Sequence, residues 1–440
     1  MSLDPIADGA LARWLARTGA PALFPPRRAA GDLPTGSPVV RDLAAISEHG
    51  SLALVDLGDA TVVAPIVTDG RSFRRAVPGD GAFSAIAALV RGPTPRRGGL
   101  TVRVLERPPD VTGERGIDVD QSNESVVVGE RIVVKLFPQA ARGPQPGEDL
   151  AAHLAAVGST DVPTPFGSVR WRHPDGSSLL VATVSAFLPH ARDGWAWFLE
   201  LALEAIGGGD RVDSLVAAGA CGTSVARLHV ALATASPLLP DPLGDAGQDR
   251  METWERASEA LLVEALAVTR GAEGDRLEAL APAIRAGFAP FRGLGATPVQ
   301  RIHGDLHVGQ VLAGPHGYAI TDLDGNPLAP ASERVALQPT ARDVAAFVRS
   351  LDHLGRLAQR RLPGRDVAVE SWIVAVRERF LDTYRATIAS AGRADRFDER
   401  LLAPFEVAQE CHEYVYAARF LPRWLPVPDL AMPRLLGAGA

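Results

Sequence analysis

The stretch that decides the fold lies between Gln300 and Pro330. It reads Gln300-Arg301-Ile302-His303-Gly304-Asp305-Leu306-His307-Val308-Gly309-Gln310-Val311-Leu312, and after a turn at Gly314 to Gly317 it continues Tyr318-Ala319-Ile320-Thr321-Asp322-Leu323-Asp324-Gly325-Asn326-Pro327. A short loop with apolar ends therefore places one carboxylate, Asp305, beside two histidines. A tight turn and a short strand then deliver a second carboxylate, Asp322.

This arrangement of residue types suits phosphoryl transfer. Such a reaction needs a base near the acceptor hydroxyl and oxygen ligands for magnesium beside the phosphates. Asp305 suits the base, and Asp322 and the side-chain oxygen of Gln310 suit the metal. The protein-kinase pattern His-Arg-Asp, Asn, Asp-Phe-Gly uses the same order of roles, although here Gly304 replaces the Arg and Gln310 the Asn. A polar loop whose carboxylates only cap helices is the alternative, and the whole set at this spacing favours catalysis.

Composition excludes several classes of protein. The chain has 440 residues, 46% of them hydrophobic, and a net charge of -7, which argues against a nucleic-acid partner. No apolar run approaches the roughly 18 residues of a membrane span, and the first 20 residues do not have the pattern of a signal peptide. Cys221 and Cys411 fit no metal spacing. We therefore expect a cytoplasmic protein that binds neither nucleic acid nor membrane.

Lys135 is the only lysine in the chain. It lies in the strand-like run Arg131-Ile132-Val133-Val134-Lys135-Leu136-Phe137. Arginine supplies every other basic side chain, so a retained lysine indicates a need for a compact ammonium that a guanidinium does not reproduce. The other interpretation is a lysine on the outward face of a strand.

The pattern predicts an α+β protein in three parts. Residues 1–98 read as an N-terminal cap subdomain with a hairpin signal at Gly58-Asp59. Residues 99–190 read as a strand-rich nucleotide-binding lobe with one helix, Glu148 to Val157, and residues 191–440 as a helical catalytic and substrate-binding lobe. In the last part, Asp343 is expected to cap a helix or brace the active loop, and His229 to be a core histidine.

The strand-rich part contains the candidates for nucleotide binding. A small-polar turn before the Lys135 strand, with Ser122, Asn123 and Ser125, could cover phosphates. Glu148 and Asp149, at the start of the predicted helix, are the candidates to pair with the lysine, with Glu148 favoured by its position; either could instead interact only with the helix dipole. Phe187 and Leu188 end a strand before Pro189, where backbone groups of a hinge could pair with adenine.

The last long helix is polar along one side. Its candidates for substrate contact are Gln409, Glu410 and Glu413, followed by Trp424. Residues 406, 410 and 413 share a face by three-and-four spacing. This face is either solvated or forms a polar wall with an aromatic platform, as a sugar site needs.

Together these motifs resemble the aminoglycoside-phosphotransferase-like kinases, and most closely their actinobacterial glucosamine kinase and maltokinase branch. The resemblance covers roughly residues 120 to 430. It implies a bilobal, protein-kinase-like fold with the cap, the ATP lobe and the substrate lobe in that order. It also implies that Asp305 is the base, that Gln310 and Asp322 bind Mg²⁺, and that Lys135 anchors phosphate. The version Asp322-Leu323-Asp324-Gly325-Asn326-Pro327 is more similar to the glucosamine kinases than to the maltokinases.

The resemblance therefore predicts an ATP- and Mg²⁺-dependent sugar kinase that makes glucosamine 6-phosphate. A maltokinase making maltose 1-phosphate, an aminoglycoside-type phosphotransferase and a catalytically inactive kinase fold are the alternatives. The amino sugar is expected to contact Asp305, His303, Asp324, Gln409, Glu410, Glu413 and Trp424. A monomer or homodimer is expected.

Overall fold

The computed structural model describes residues 5–25, 36–58, 60–69, 72–92, 99–117, 123–140, 145–173 and 175–437. The chain divides into two compact units, Met1–Ala155 with Pro163–Pro189, and Ala156–Val162 with His190–Ala440. Ser122, predicted to cover phosphate, and the predicted boundary near residue 98 lie outside the described residues. The division into three domains stays a prediction.

The first unit contains most of the strands. Its elements are α1 (Pro5–Thr18), β1 (Pro38–Ala45), β2 (Gly50–Leu57), β3 (Ala60–Thr68), β4 (Phe73–Arg75), α2 (Ala82–Leu89), β5 (Leu100–Val104), β6 (Glu114–Gly116), β7 (Glu124–Val128), β8 (Ile132–Leu136), β9 (Gln139–Ala140), α3 (Pro146–Ala156), β10 (Pro165–Arg172) and β11 (Ser178–Ala186). The predicted hairpin is confirmed, because β2 and β3 pair antiparallel with Leu57 opposite Ala60. The predicted helix at Glu148 begins two residues earlier, at Pro146.

Two sheets organise this unit. One has the order β1-β2-β3-β4, with β9 also paired to β3, and the other has the order β5-β10-β11-β8-β7-β6. Helix α1 packs Leu11 and Leu15 on one face of the first sheet. Apolar residues of its other face, such as Leu54 and Val63, share a core with Val134 of the second sheet. The N-terminal segment is therefore joined to the strand-rich part by a common core and by strand pairing.

The second unit is mainly helical. Its elements are β12 (Arg192–Asp193), α4 (Gly194–Gly207), α5 (Val212–Leu232), β13 (Leu243–Ala246), α6 (Gln248–Val268), α7 (Gly271–Phe288), β14 (Thr297–Gln300), β15 (Val311–Gly314), β16 (Gly317–Ile320), α8 (Ala331–Arg334), α9 (Thr340–Arg361), α10 (Asp366–Ser390), α11 (Leu402–Phe420) and α12 (Pro426–Leu435). Helix α12 was not predicted, because its prolines lie at positions that also suit an irregular tail.

Helices α5 and α10 pack closely because α5 presents glycine at their contact. A Cβ atom added to Gly222 would lie 2.3 Å from the carbonyl oxygen of Phe380. Among the described residues, α5 is the one helix that is long and apolar enough to cross a membrane, and 61% of that window is buried inside the fold. A core helix of a globular unit has the same properties, and the packing against α10 indicates that role.

Candidate active site

The catalytic loop begins with a buried histidine that shapes the backbone. His303 is 1% exposed. Its Nδ1 accepts the backbone N–H of Asp305 at 3.3 Å, so the ring proton is on Nε2, which donates to the carbonyl of Thr321 at 2.8 Å. Both ring nitrogens are thus used inside the protein. This geometry favours a positioning role for His303 over the predicted substrate contact.

Asp343, at the start of α9, braces the same loop. Its Oδ2 accepts the backbone N–H of His303 at 2.7 Å and its Oδ1 that of Gly304 at 2.9 Å. Gly304 has φ of 82°, a conformation that favours glycine. The prediction that Asp343 is a brace is confirmed by these contacts, and it explains why a carboxylate is needed at this position.

A buried chain of hydrogen bonds continues behind Asp343. His229 Nε2 lies 3.1 Å from Asp343 Oδ2, and His229 Nδ1 lies 2.8 Å from the Tyr384 hydroxyl. Burial raises the pKa of Asp343, but the hydrogen bond from His229 and those of the loop outweigh it, so the net pKa is lowered. The carboxylate therefore stays ionised and keeps the loop closed. His229 is buried, as predicted for a core histidine.

The two site carboxylates have different environments. Burial raises the pKa of Asp305 above its ordinary value, and the charge of Asp322 adds to the rise, while His307 opposes it. Asp322 is exposed and has φ of 62°, in the left-handed region. Few side chains other than Asn and Asp adopt this conformation readily. A carboxylate with a raised pKa beside an exposed one is suited to accept a proton while the other holds a cation.

Gln310 and His307 lie together at the end of the loop. His307 Nδ1 accepts the backbone N–H of Gly309 at 3.1 Å, so Nε2 carries the proton. The side-chain amide of Gln310 lies 3.4 Å from that Nε2. The atom nearest the imidazole is the amide nitrogen of Gln310, so its side-chain oxygen can bind a cation. The pKa of His307 is lowered by burial, which keeps the ring neutral.

One face of α11 presents a hydrogen-bonded group of polar and aromatic side chains. Gln409 donates to Glu413 Oε1 at 3.0 Å, and Trp424 Nε1 donates to Glu413 Oε2 at 3.0 Å. Trp424 contacts Trp195, whose ring also faces His307, with centroid separations of 5.4 and 5.9 Å. Three of the predicted substrate residues, Gln409, Glu413 and Trp424, are therefore brought together.

Glu410 has a different environment from the one predicted. It is fully buried, accepts Arg349 Nε at 2.8 Å, and has His353 Nε2 at 3.1 Å from both carboxylate oxygens. This fully buried carboxylate is therefore already bound by two protein side chains. These contacts favour a buried counter-charge in the α9–α11 interface over the predicted contact of Glu410 with substrate.

The turn after Asp322 is tied to α11. The backbone oxygen of Asp324 accepts Arg334 Nη1 at 3.3 Å, and its side chain is half-buried. Asn326 Nδ2 lies 3.1 Å from His412 Nε2. His412 was not predicted, since a lone histidine on a helix gives no sequence signal. Its contact with Asn326 holds the turn beside the helix that carries Glu413.

The first unit positions the nucleotide candidates on its second sheet. Lys135 on β8 lies opposite Ser125 on β7 and Thr183 on β11, so the three form a row across adjacent strands. Lys135 Nζ lies 5.6 Å from the ring centroid of Phe137. Asn123 is half-buried and comes directly before β7. This row of polar side chains could face a phosphate chain.

Two other nucleotide candidates have protein partners. Glu148 Oε1 accepts the Ser168 hydroxyl at 2.5 Å, and Glu148 Oε2 accepts Arg170 Nε at 2.8 Å. The carboxylate of Glu148 is therefore bound by Ser168 and Arg170, and its pairing with Lys135 stays a prediction. Phe187 follows β11, donates its backbone N–H to the Arg131 carbonyl at 2.9 Å, and is followed by a half-buried Leu188.

Comparisons with known proteins give a consistent result. A glucosamine kinase from Streptacidiphilus jiangxiensis is 42% identical over 404 residues, covering 87% of this chain and 90% of that protein. A glucosamine kinase from Mycolicibacterium smegmatis (strain ATCC 700084 / mc(2)155) is 35% identical over 393 residues, covering 89% and 97%. The chain belongs to the glucosamine kinase family. No family model matches it.

Solved structures of glucosamine kinases share this fold. One, in crystal form B, has 36% identity and a TM-score of 0.82, with 97% of this chain and 99% of that chain covered. Another, in complex with glucosamine, ADP and inorganic phosphate, has 38% identity and a TM-score of 0.79, with 96% and 98% covered. The predicted α+β, kinase-like fold class is thereby confirmed, as is the resemblance to the glucosamine kinase branch.

Two residues near the site of this glucosamine kinase family member could not be identified from the sequence. Arg349 and His353 lie on α9, far from the motifs in sequence. Their spacing of four places both on one side of the helix. Residues that only pack in an ordinary core have the same spacing, so the pattern does not distinguish the two roles. The contacts with Glu410 become visible only when α9 and α11 are packed together.

Proposed function

We propose that this protein is an ATP- and Mg²⁺-dependent kinase that transfers a phosphoryl group to the 6-hydroxyl of glucosamine. The observation that carries the proposal is the clamped Asp305, whose loop is held by Asp343 and whose pKa is raised by burial. The relatives named glucosamine kinase support the choice of acceptor. We further propose that the enzyme is cytoplasmic, a monomer or homodimer, and without nucleic-acid or membrane partners.

Asp305 is the proposed base. A pKa raised towards the working pH improves proton acceptance in the transition state, because efficient catalysts titrate near the pH at which they work. The backbone clamp fixes the carboxylate, so that it is aligned before the acceptor hydroxyl arrives. The proton of the acceptor hydroxyl then passes to a carboxylate oxygen of Asp305.

The residues present fit a magnesium ion. Asp322 offers an exposed carboxylate and Gln310 an amide oxygen, and hard cations prefer oxygen ligands. Mg²⁺ usually keeps several waters and binds few protein groups, which suits a set of this size. When bound, the ion would neutralise charge on the transferring phosphoryl group. In the first unit, Lys135 with Ser125 and Asn123 is proposed to bind the phosphate chain, and Phe187 with Leu188 the base.

The acceptor is proposed to lie against the α11 face. The ammonium of glucosamine requires charged or carbonyl acceptors. Burial raises the pKa of Glu413, but the charges of His353 and His412 and the hydrogen bonds from Trp424 and Gln409 together outweigh it, so the net pKa is lowered and the carboxylate stays ionised. Glu413 is therefore the proposed partner of the amine. Trp424 gives an aromatic wall and Asp324 a second carboxylate near the turn.

A sugar panel tests the proposal. The purified enzyme is supplied with Mg-ATP and glucosamine, glucose, N-acetylglucosamine, maltose or an aminoglycoside, and ADP release is followed. We expect glucosamine to react fastest, glucose and N-acetylglucosamine to be poor because they lack the charge, and activity to stop when magnesium is chelated. Faster phosphorylation of maltose would reject the amine argument and favour the maltokinase alternative. No turnover with any sugar would favour an inactive kinase fold.

A further inference from the structure

A cluster of ionised side chains lies between α9 and α11. We call it the α9–α11 charge cluster, and its members that are at least nine-tenths buried are Arg349, Asp352, His353, Arg356, Glu406 and Glu410. Arg349 is its centre, donating to Glu410 Oε2 at 2.8 Å and to Asp352 Oδ2 at 2.5 Å. Such groups are costly to bury unless each charge has a partner.

Charge balance defines the state of the one histidine in this cluster. The six buried members include three carboxylates and two guanidinium groups, so the set is neutral only when His353 is protonated. Two half-exposed partners, Arg377 on Glu406 and Glu370 on Arg356, add one charge of each sign. Burial lowers the pKa of His353, but the charge and hydrogen bond of Glu410 and the charge of Glu413 together outweigh it, and the net pKa is raised. The charge count and the direction of the pKa shift both favour the imidazolium form of His353, held against Glu410.

His353 also contacts the aromatic wall of the proposed acceptor site. Its ring lies 5.8 Å from that of Trp424, at an angle of 87°. Trp424 Nε1 donates to Glu413 Oε2 at 3.0 Å, and Gln409 donates to the other oxygen. A continuous series of contacts thus leads from Arg349 through Glu410 and His353 to the indole.

We propose that His353 is a positioning residue for acceptor recognition: held by Glu410, it fixes the indole of Trp424, and the indole in turn orients the carboxylate of Glu413 towards the amine. This inference rests on the proposed function. The cationic ring also lowers the pKa of Glu413, together with His412. Loss of the imidazolium would therefore both loosen Trp424 and weaken ionisation of the carboxylate, without a direct contact between His353 and the sugar.

The test compares two substitutions in the same cluster. His353→Gln keeps a hydrogen-bond donor for Glu410 but removes the charge and the ring. Arg356→Gln removes a buried cation that binds Asp352 and Glu370. Among the described contacts, neither Arg356 nor these two partners touches Trp424. Both variants should lower the melting temperature, so the pair separates a loss of stability from a loss of positioning.

We expect His353→Gln to raise the KM for glucosamine about fivefold or more. A change of this size lies within the range of coupling energies found between residues in direct contact. The KM for ATP should change less than twofold, and Arg356→Gln should leave both close to the native values. In a double-mutant cycle with Trp424→Phe, the effects on KM should not add. Equal changes in the two cluster variants, or additive effects with Trp424→Phe, would overturn the proposal.

A measurement without sugar separates this inference from the proposed function. The protein has seven tryptophans, of which Trp424 is one. The fluorescence of Trp424 is obtained by subtracting the emission of the Trp424→Phe variant from that of the native enzyme. We expect His353→Gln to change the emission in the native background and not in the Trp424→Phe background. An unchanged emission shows that His353 does not hold the indole, whatever the acceptor is. An enzyme inactive on glucosamine with the emission change intact rejects the proposed function alone.

Discussion

Arg75 clamps the carboxylate of Glu124 through both terminal nitrogens of its guanidinium. Nη1 donates to Oε1 at 3.0 Å and Nη2 donates to Oε2. Both side chains are largely buried, and Arg75 Nε also donates to the Leu23 carbonyl at 3.1 Å. Glu124 opens β7, directly before Ser125, which lies opposite Lys135. The N-terminal segment therefore holds the start of the strand that carries the proposed phosphate contacts.

Replacement of Arg75 by Met is expected to raise the KM for ATP several-fold with little effect on the KM for glucosamine. The buried Glu124 would lose its partner, which typically costs about 3–5 kcal/mol for a buried pair, and β7 would shift. Steady-state kinetics with each substrate varied gives the measurement. Arg74→Met is the control, because the neighbouring Arg74 pairs with Asp80 on the surface, where such pairs contribute at most about 1 kcal/mol. Equal kinetics in the two variants would contradict the role of Arg75.

Asp305→Asn is expected to lower turnover by roughly 10²-fold or more, because the amide cannot accept the proton. The affinity for ATP should be retained, as calorimetry can show. Near-normal turnover in this variant would reject Asp305 as the base.

The same variant should be more stable than the native protein at neutral pH. The folded-state pKa of Asp305 is raised by burial, so the native state binds the proton more tightly than the unfolded state. Stability therefore falls as the pH rises from the unfolded-state pKa through the folded-state pKa. An Asn has no ionised form to bury. The gain in melting temperature should shrink below about pH 4, where the unfolded carboxyl is also protonated. A gain that does not depend on pH would contradict this origin.

Substitution of Asp322 tests the metal site. Asp322→Asn should lose magnesium-dependent nucleotide binding, measured by titrating Mg-ATP in a calorimeter, because the charge on the hard ligand is removed. Asn tolerates the positive φ of 62°, so the melting temperature should change little. Asp322→Ala should lose binding and also stability, since Ala in this conformation costs roughly 1–2 kcal/mol. Unchanged Mg-ATP affinity in Asp322→Asn would remove the residue from the site.

Asp343→Asn should lower both turnover and stability. The carboxylate accepts the N–H groups of His303 and Gly304 through different oxygens, and an amide can replace only one of these acceptors. Because the folded pKa of Asp343 is lowered, its contribution is present above the unfolded pKa and is lost as the pH falls through the folded value. The deficit in melting temperature should therefore be largest at neutral pH and decrease below about pH 4. A deficit of equal size across this range would mean that ionisation is not involved.

Glu413→Gln and Glu410→Gln should differ in kind. Glu413→Gln is expected to raise the KM for glucosamine strongly and leave the KM for ATP nearly unchanged, because an amide is a poor partner for an ammonium. Glu410→Gln should lower the melting temperature, since Arg349 and His353 would lose a buried counter-charge, and should raise the KM for glucosamine less than Glu413→Gln does, because Glu410 acts on the acceptor site only through His353 and Trp424. Thermal unfolding and steady-state kinetics of the two variants check this. A larger KM effect for Glu410→Gln without loss of stability would restore its predicted contact with substrate.

The residues proposed to take part in catalysis could be predicted because most of them lie close together in the sequence. His303, Asp305, Gln310 and Asp322 fall within 20 residues, and their order in the chain matches the order of chemical roles. Lys135 was found by composition, as the one lysine of the chain. The helix predicted from Glu148 to Val157 was located to within two residues, because apolar positions with a helical period must face a core, whereas α12 was not predicted.

What supports those residues was decided by the tertiary structure. The sequence determined which carboxylates and amides are available for chemistry, and in which segments they lie. It did not show that Asp343 accepts two N–H groups from a loop 40 residues away, or that Glu410 faces Arg349 while Glu413, three residues on, faces Trp424. Side-chain spacing defines the face of a helix, but the neighbour on each face depends on how separate segments pack, and that packing determines whether a carboxylate is a buried counter-charge or a ligand.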